Sequence, residues 1–456
     1  MATMITELDN REKFYYSLYK DIINRYPRAL KVSDGTSNTV ALNPKLFFKE
    51  CLQDGNRTHN WQMEQGAHTF LYDEAMGTLD DYAEVLCYRL ARNLGTREVL
   101  DYAGNIKTVP VVNCAEYQLA VLIKEINGAE YPHRGCVSTN VAQPGETLIK
   151  GSKILEPLKD PDKPLQKVRN SLANHRKGLQ IFKERQETAT HREVVFDPNI
   201  ETDLLINAYM CYRVSNSDNH SNNIMYTQSF LPDGRILISV SPMIDNGAAW
   251  EMSTPPCISN YKGIIERNTN ENGEFVLTDS PFKHQAFHLD AGGLNGHSKK
   301  IDGKDLSQEF EFAAHALSNP NFYDALFRFE QRFDLRQAFK ELTFDYRSKF
   351  PSEVLQVTLA DSELKASFMT QAVSNYFCYT AFKSCIGEVD EENPSELYTL
   401  FQSQMSALPL QPSIQGYIDA FKEIAQSQNI EITDEQLSNL DFLPQDDLSQ
   451  TDGLVE

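Results

Sequence analysis

The sequence predicts an α+β chain in two unequal parts, a small mixed sheet with one main helix followed by a larger, mainly helical part. Three observations predict it. Short apolar runs separated by turn residues crowd the first 150 positions. Helical periodicity takes over from about residue 160. Residues 202–214, TDLLINAYMCYRV, are apolar nearly all round, as a helix buried in a domain centre must be.

The bulk properties narrow the function classes. A chain of 456 residues, 41% hydrophobic and 23% charged, can build a bilobal enzyme with a tail. Its net charge of -21 argues against a general nucleic-acid or anionic-membrane surface, because both select for exposed Lys and Arg. The eight cysteines are scattered, with no C-x-x-C pair and no His at zinc spacing, which predicts reduced thiols in a cytoplasm. No charged-then-apolar leader stands at MATMITELDNREK, and the apolar run Ile236–Ile244 is too short to span a bilayer.

Residues 29–50 read as strand, turn, strand and a further short strand. The turn SDGTSN is either a plain hairpin turn or a place where backbone N–H groups approach an anion. A helix follows, capped by Thr78 with Asp81 three residues on, and closed by Gly95. Its apolar face is Ala83, Leu86, Cys87, Leu90 and Leu94, with Glu84 on the flank, where a carboxylate can point into a cleft. VLDYAGNIKTVPVV and RGCVSTNV complete a sheet-bearing part over residues 1–150.

The stretch PLQKVRNSLANHRKGLQIFKERQE is basic and amphipathic. It is a solvated helix face or a dock for an acidic substrate or phosphate. Helical patterns at 305–350 and 353–382 carry the second part through residues 151–385. Residues 386–456 read as an acidic tail with one helix near Ile414–Gln426. Within it, 431–456 hold eight acids and no Lys or Arg, which predicts mostly disorder.

The chemistry concentrates after the buried helix. SNSDNHSNNI is followed by two strand-like runs, NIMYTQSF and RILISV, around the turn LPDG, and then by SPMIDNG. A hairpin returns its ends to each other, so Asp218, Asn223 and Asp245 are expected to converge. One carboxylate there would accept a proton from an attacking hydroxyl, while an amide oxygen and a second carboxylate hold magnesium. The Asp-to-Asn interval of five matches the protein-kinase catalytic loop, and Asp-Asn-Gly stands where those enzymes carry Asp-Phe-Gly. The bland alternative makes Asp218 a turn cap, Asn223 a backbone partner and Asp245 a loop closure; it explains each residue but not their order. His220 is read as orienting backbone or packing.

SNSDNHSNNI, SPMIDNGAAW, YAEVLCYRLARNLG and HRGCVSTNVAQPGETLIKG together resemble the HipA-like serine/threonine kinases over roughly residues 30–385. The resemblance implies a two-lobed protein-kinase-like fold, with a small mixed-sheet N-lobe and a larger, mainly helical C-lobe. It implies Asp218 as catalytic base, Asn223 and Asp245 as magnesium ligands in an ATP site, and Glu84 as partner of a phosphate-binding lysine. Asn219 stands in place of the family's loop arginine, which alters loop electrostatics and leaves the metal ligands intact. For the lysine, Lys49 in LFFKE is the first choice and Lys45 the second. If HTFLYDE is the matching strand instead, Tyr72 or Asp73 takes the lysine's place. Two functions follow. The first is an ATP- and magnesium-dependent kinase acting on a Ser or Thr of a protein; the second is a pseudokinase serving as a nucleotide-binding or protein-interaction module. An antitoxin partner, common beside HipA-like kinases, cannot be inferred from this chain, and no nucleic-acid or membrane partner is expected.

Overall fold

The structure, a computed structural model, describes residues 28–30, 39–43, 46–50, 80–126, 129–139, 141–160, 168–216, 218–251, 287–290, 300–301, 304–346, 352–390, 393–438 and 440–442. Thr78, the turn at 33–38, Lys45, Tyr72 and Asp73 lie outside the described residues.

The first lobe is built on β1 (Arg28–Leu30), β2 (Thr39–Asn43), β3 (Leu46–Glu50), β6 (Tyr117–Ile126) and β7 (Ala129–Thr139). They lie in the order β1-β6-β7-β3-β2. Only β1 pairs in parallel, with β6, so the sheet is mixed as expected. Helix α1 (Asp80–Asn93) packs across β6 and β7. Ala83, Leu86, Cys87, Leu90 and Leu94 are all buried, but so are Tyr82, Val85 and Glu84, so the helix is enclosed nearly all round rather than along one stripe. Gly95, at φ 76°, ends it in the left-handed region that glycine adopts without a Cβ penalty. Arg332 Nη1 donates to the Leu94 carbonyl at 3.0 Å, placing a cation at the negative end of the helix.

Strands β4 (Thr96–Leu100) and β5 (Ile106–Pro110) form a ribbon of their own, not part of that sheet. Ion pairs hold the ribbon against the second lobe: Arg97 to Asp203 at 2.6 Å and Lys107 to Asp197 at 2.8 Å.

The second lobe begins earlier than residue 151. Strand β8 (Thr147–Lys150) pairs with β10 (Met225–Phe230), which pairs with β11 (Ile236–Val240), and β11 with β9 (Val194–Phe196). The crossing between lobes therefore falls ahead of residue 147. Helix α2 (Gly151–Leu155) and a one-turn helix (Glu156–Leu158) follow β8. The basic helix α3 (Leu172–Thr190) starts later than the sequence suggests, because Ser171 caps it, its side chain accepting from Asn174 N. Next comes α4 (Ile200–Arg213), buried along most of its length.

A short ribbon, β12 (Lys300–Ile301) with β13 (Lys304–Asp305), leads into α5 (Ser307–Ser318), α6 (Pro320–Arg332), α7 (Leu335–Tyr346) and the long α8 (Ser352–Cys385). Among them Arg213 pairs with Glu330 inside the core and lies 4.4 Å from the Phe333 ring centroid. Among the described residues no helix is long and apolar enough to cross a membrane.

The tail expectation needs correction. Residues 386–442 hold three helices, α9 (Glu396–Ser406), α10 (Ile414–Ser427) and α11 (Asp434–Ser438), and α9, α10 and α11 all pack on α8. Leu437 and Phe442 are buried, Phe442 lies 5.8 Å from Phe377 centroid to centroid, and Tyr376 Oη donates to the Phe442 carbonyl at 2.6 Å. An acidic average concealed two apolar anchors. Residues 443–456 lie outside the described residues.

Candidate active site

The loop after α4 is shaped by its own backbone. Asn216 N donates to Cys211 O at 2.9 Å and Ser215 N to Tyr212 O at 3.1 Å, with Ser215 left-handed at φ 52°. That is a Schellman-type stop, and it turns the chain out of the helix at once. Asn216 Oδ1 then accepts from Asp218 N at 3.0 Å. His220 N and the Asn223 side-chain Nδ2 both donate to the Asp218 carbonyl, each at 2.8 Å. Asp218 and Asn223 are thus joined directly, and the Asp218 carboxyl remains about half exposed, at 47%.

The β10–β11 hairpin brings the second half back as expected, with Tyr226 opposite Val240 and Phe230 opposite Ile236. Ser241 N donates to Met225 O at 2.9 Å, extending the closure past the strand ends. Asp245 follows at φ 63°, a conformation few non-glycine residues adopt. Backbone contacts tie this segment to its surroundings. Its N–H points at the Tyr117 hydroxyl at 3.3 Å, its carbonyl accepts from Asn216 Nδ2 at 3.3 Å, and the next N–H, of Asn246, donates to Glu84 Oε2 at 2.8 Å.

Asn223 and Asp245 line one cavity, together with Leu204, Ala208, Asn219 and Met243. Asp218 is not in that lining and reaches it through Asn223. The donor chemistry fits magnesium. Asn223 commits Nδ2 to Asp218, which leaves Oδ1 as its acceptor, and Asp245 adds carboxylate oxygens. Magnesium is held by one or two such protein oxygens with phosphates and water completing the shell. Among the described residues no group of three or more His, Cys, Asp or Glu gathers as a metal centre, so a caged zinc or calcium site is not what this lining resembles.

Glu84 is fully buried, and its contact with Asn246 ties α1 to the segment carrying Asp245. Lys49 lies in β3 opposite Cys136, which is opposite Leu119 in β6. Cys136 and Leu119 are fully buried, so Lys49 holds a register position on the sheet that α1 covers; its side chain is outside what is described. His220 Nε2 stands 3.7 Å from Asp218 Oδ1.

Sequence reasoning missed the supports behind the loop. Asn170 Nδ2 donates to the Asn219 carbonyl at 3.0 Å, so its Oδ1 accepts from His175 Nε2 at 2.9 Å, and His175 Nδ1 accepts from the Tyr226 hydroxyl at 2.7 Å. Burial holds His175 in its neutral form, with a pKa pushed down to about 4. Gly151 lets α2 approach: a Cβ there would stand 2.7 Å from Ser221 O and 2.9 Å from His175 Cε1. Gly151 N and Ser152 N donate to Ile224 O and Ser221 O at 2.7 and 2.9 Å, closing the loop's far end. The basic run around residues 172–190 gave no hint of this, because His175 reads there as one more surface position.

No protein-family model matches the sequence, and no curated protein matches it. Among solved structures, the Helicobacter pylori proinflammatory kinase CtkA is similar to the chain at a TM-score of 0.36 and 10% identity, over 75% of this chain and 94% of its own. The functional reading therefore rests on the geometry of the site.

Proposed function

We propose that the chain is an ATP- and magnesium-dependent protein kinase of the HipA-like kind, acting in the cytoplasm on a Ser or Thr hydroxyl of a protein. The observation that carries this reading is the shared cavity of Asn223 and Asp245, with Asn223 also hydrogen-bonded to Asp218. Two oxygen ligands and a half-exposed carboxyl, fixed relative to one another, are what phosphoryl transfer asks of a protein.

In this reading Asp218 accepts the proton of the substrate hydroxyl as its oxygen bonds to the γ-phosphorus of ATP; the bond to the β–γ bridging oxygen breaks and ADP leaves. Asn223 and Asp245 would hold magnesium, which when bound neutralises charge on the phosphates. Glu84 keeps α1 against the Asp245 segment, and Lys49, on the sheet beside α1, is the residue assigned to the phosphates. The six described cysteines are free thiols, which suits a reducing compartment.

The test is phosphate transfer from labelled ATP by wild type and Asp218→Asn, with magnesium-dependent ATP binding measured alongside. Removing a positioned proton acceptor should cut transfer by about 10²–10⁴ while ATP binding survives. Binding without any transfer by the wild type would make the chain a nucleotide-binding pseudokinase. Absence of both would overturn the reading.

A further inference from the structure

Lys365, on α8, is completely buried, yet its ammonium has no part in the chemistry above. A buried cation is tolerated only when paired and hydrogen-bonded. Its Nζ is 3.1 Å from Asp361 Oδ2, donates to Tyr212 O at 2.8 Å and also donates to Ser215 Oγ. Ser215 Oγ in turn donates to Asp361 Oδ2 at 2.7 Å. Three side chains and the Tyr212 carbonyl of α4 thus close one largely buried cluster directly beneath the exit from that helix.

We propose that Lys365, Asp361 and Ser215 act as a clamp that positions the loop bearing Asp218. The residue at position 215 carries the argument. It occupies the left-handed step of the Schellman-type stop, at φ 52°, where glycine is the default and a side chain is strained. Serine brings to that step a hydroxyl that glycine lacks, and both hydrogen bonds of that hydroxyl go to the α8 pair. The ammonium also sits at the carbonyl end of α4, where a cation is favoured.

Position reaches the chemistry through the next residue. Asn216 follows Ser215 directly, and its side chain holds both Asp218 N and Asp245 O. A shift at 215 therefore moves the proposed base and a proposed metal ligand together. None of the three clamp residues lines the cavity of Asn223 and Asp245; they are positioning residues, and their assignment rests on the kinase reading for its effect on rate.

The experiment uses Ser215→Gly, Ser215→Ala and Lys365→Met in the full chain, with two readouts. The first is kinetic. Ser215→Gly gives up the hydroxyl's two hydrogen bonds but relieves backbone strain, so the two effects offset and it should melt close to the wild type. Its kcat should nevertheless fall by about 10- to 100-fold, with KM for ATP within about twofold, because misplacement rather than binding is lost. Ser215→Ala should lose as much rate and melt below both, since it loses the same hydrogen bonds and keeps the strain. A Ser215→Gly protein with wild-type kcat would overturn the clamp.

The second readout is independent of activity: hydrogen exchange at the amides of Asp218, His220 and Asn223. Exchange should quicken in Ser215→Gly and in Lys365→Met. If the wild type transfers no phosphate yet these amides lose protection in Ser215→Gly, the clamp stands and the kinase reading falls. Unchanged exchange in a folded Ser215→Gly protein overturns the clamp whatever the activity.

Discussion

Asn216 and Asn246 meet side chain to side chain, the Asn216 Nδ2 donating to the Asn246 Oδ1 at 3.3 Å. Each is almost completely buried, and each continues to another element. Asn216 reaches Asp218 N, while Asn246 N reaches Glu84 on α1. The loop after α4, the segment after β11 and the helix of the first lobe are therefore parts of one hydrogen-bonded chain.

Asn246→Ala keeps the backbone donor to Glu84 and removes only the amide. A net buried hydrogen bond is worth about 1 kcal/mol, so urea denaturation should register a loss of that order. The larger effect should fall on magnesium-dependent stabilisation by ATP, which the variant should reduce. A variant with wild-type stabilisation by magnesium and ATP would show that this bridge does not couple the two segments.

ATP should raise the melting temperature only when magnesium is present, because the cavity offers hard oxygen ligands from Asn223 and Asp245. Asp245→Ala should abolish the magnesium-dependent part. Equal stabilisation in EDTA would remove the metal assignment.

The buried His175 sets a pH dependence. Its folded pKa, about 4, lies below its ordinary value of 6.5 because burial disfavours the charged ring. Between those values the unfolded chain binds the proton and the folded chain does not, so stability falls as pH drops from 6.5 towards 4 and this contribution then levels off. The full span is about 3 kcal/mol. His175→Gln should flatten that slope in urea denaturation series from pH 7 to 4; an unchanged slope would locate the dependence elsewhere.

Phe442→Ala should cost about 3 kcal/mol, the usual price of emptying an aromatic site in a packed core. Truncation after Ile430, which removes Leu437 as well, should cost more. Thermal melts that match the wild type would show that this segment does not dock in solution.

What the sequence made legible was local. The buried helix and the hairpin turn after it are written within about 35 residues, around the Asp218-to-Asn223 spacing, and local rules place both elements. Glu84 was legible as an acid on an apolar helix, but its full burial and its contact with Asn246 were not. What escaped were partners distant in sequence. Lys365 and Asp361 look like surface charges of a long helix until α4 is laid against them, 150 and 146 positions away for their contacts with Ser215. His175 was hidden in a basic run for the same reason. Phe442 was hidden differently, because averaging charge over 431–456 erased a single aromatic whose docking needs only one pocket.

The distance between Ser215 and Lys365 also has a meaning in time. A ribosome adding about 5–20 residues each second needs roughly 8–30 seconds to pass from one to the other. Throughout that interval the emerging chain already contains Asp218, Asn223, Asp245 and the hairpin between them, but not the ammonium that braces their loop. An unfinished polypeptide, or one cut short before α8, would hold the proposed reacting groups without the clamp proposed to position their loop. Activity would then arrive late in synthesis rather than with the residues that perform it.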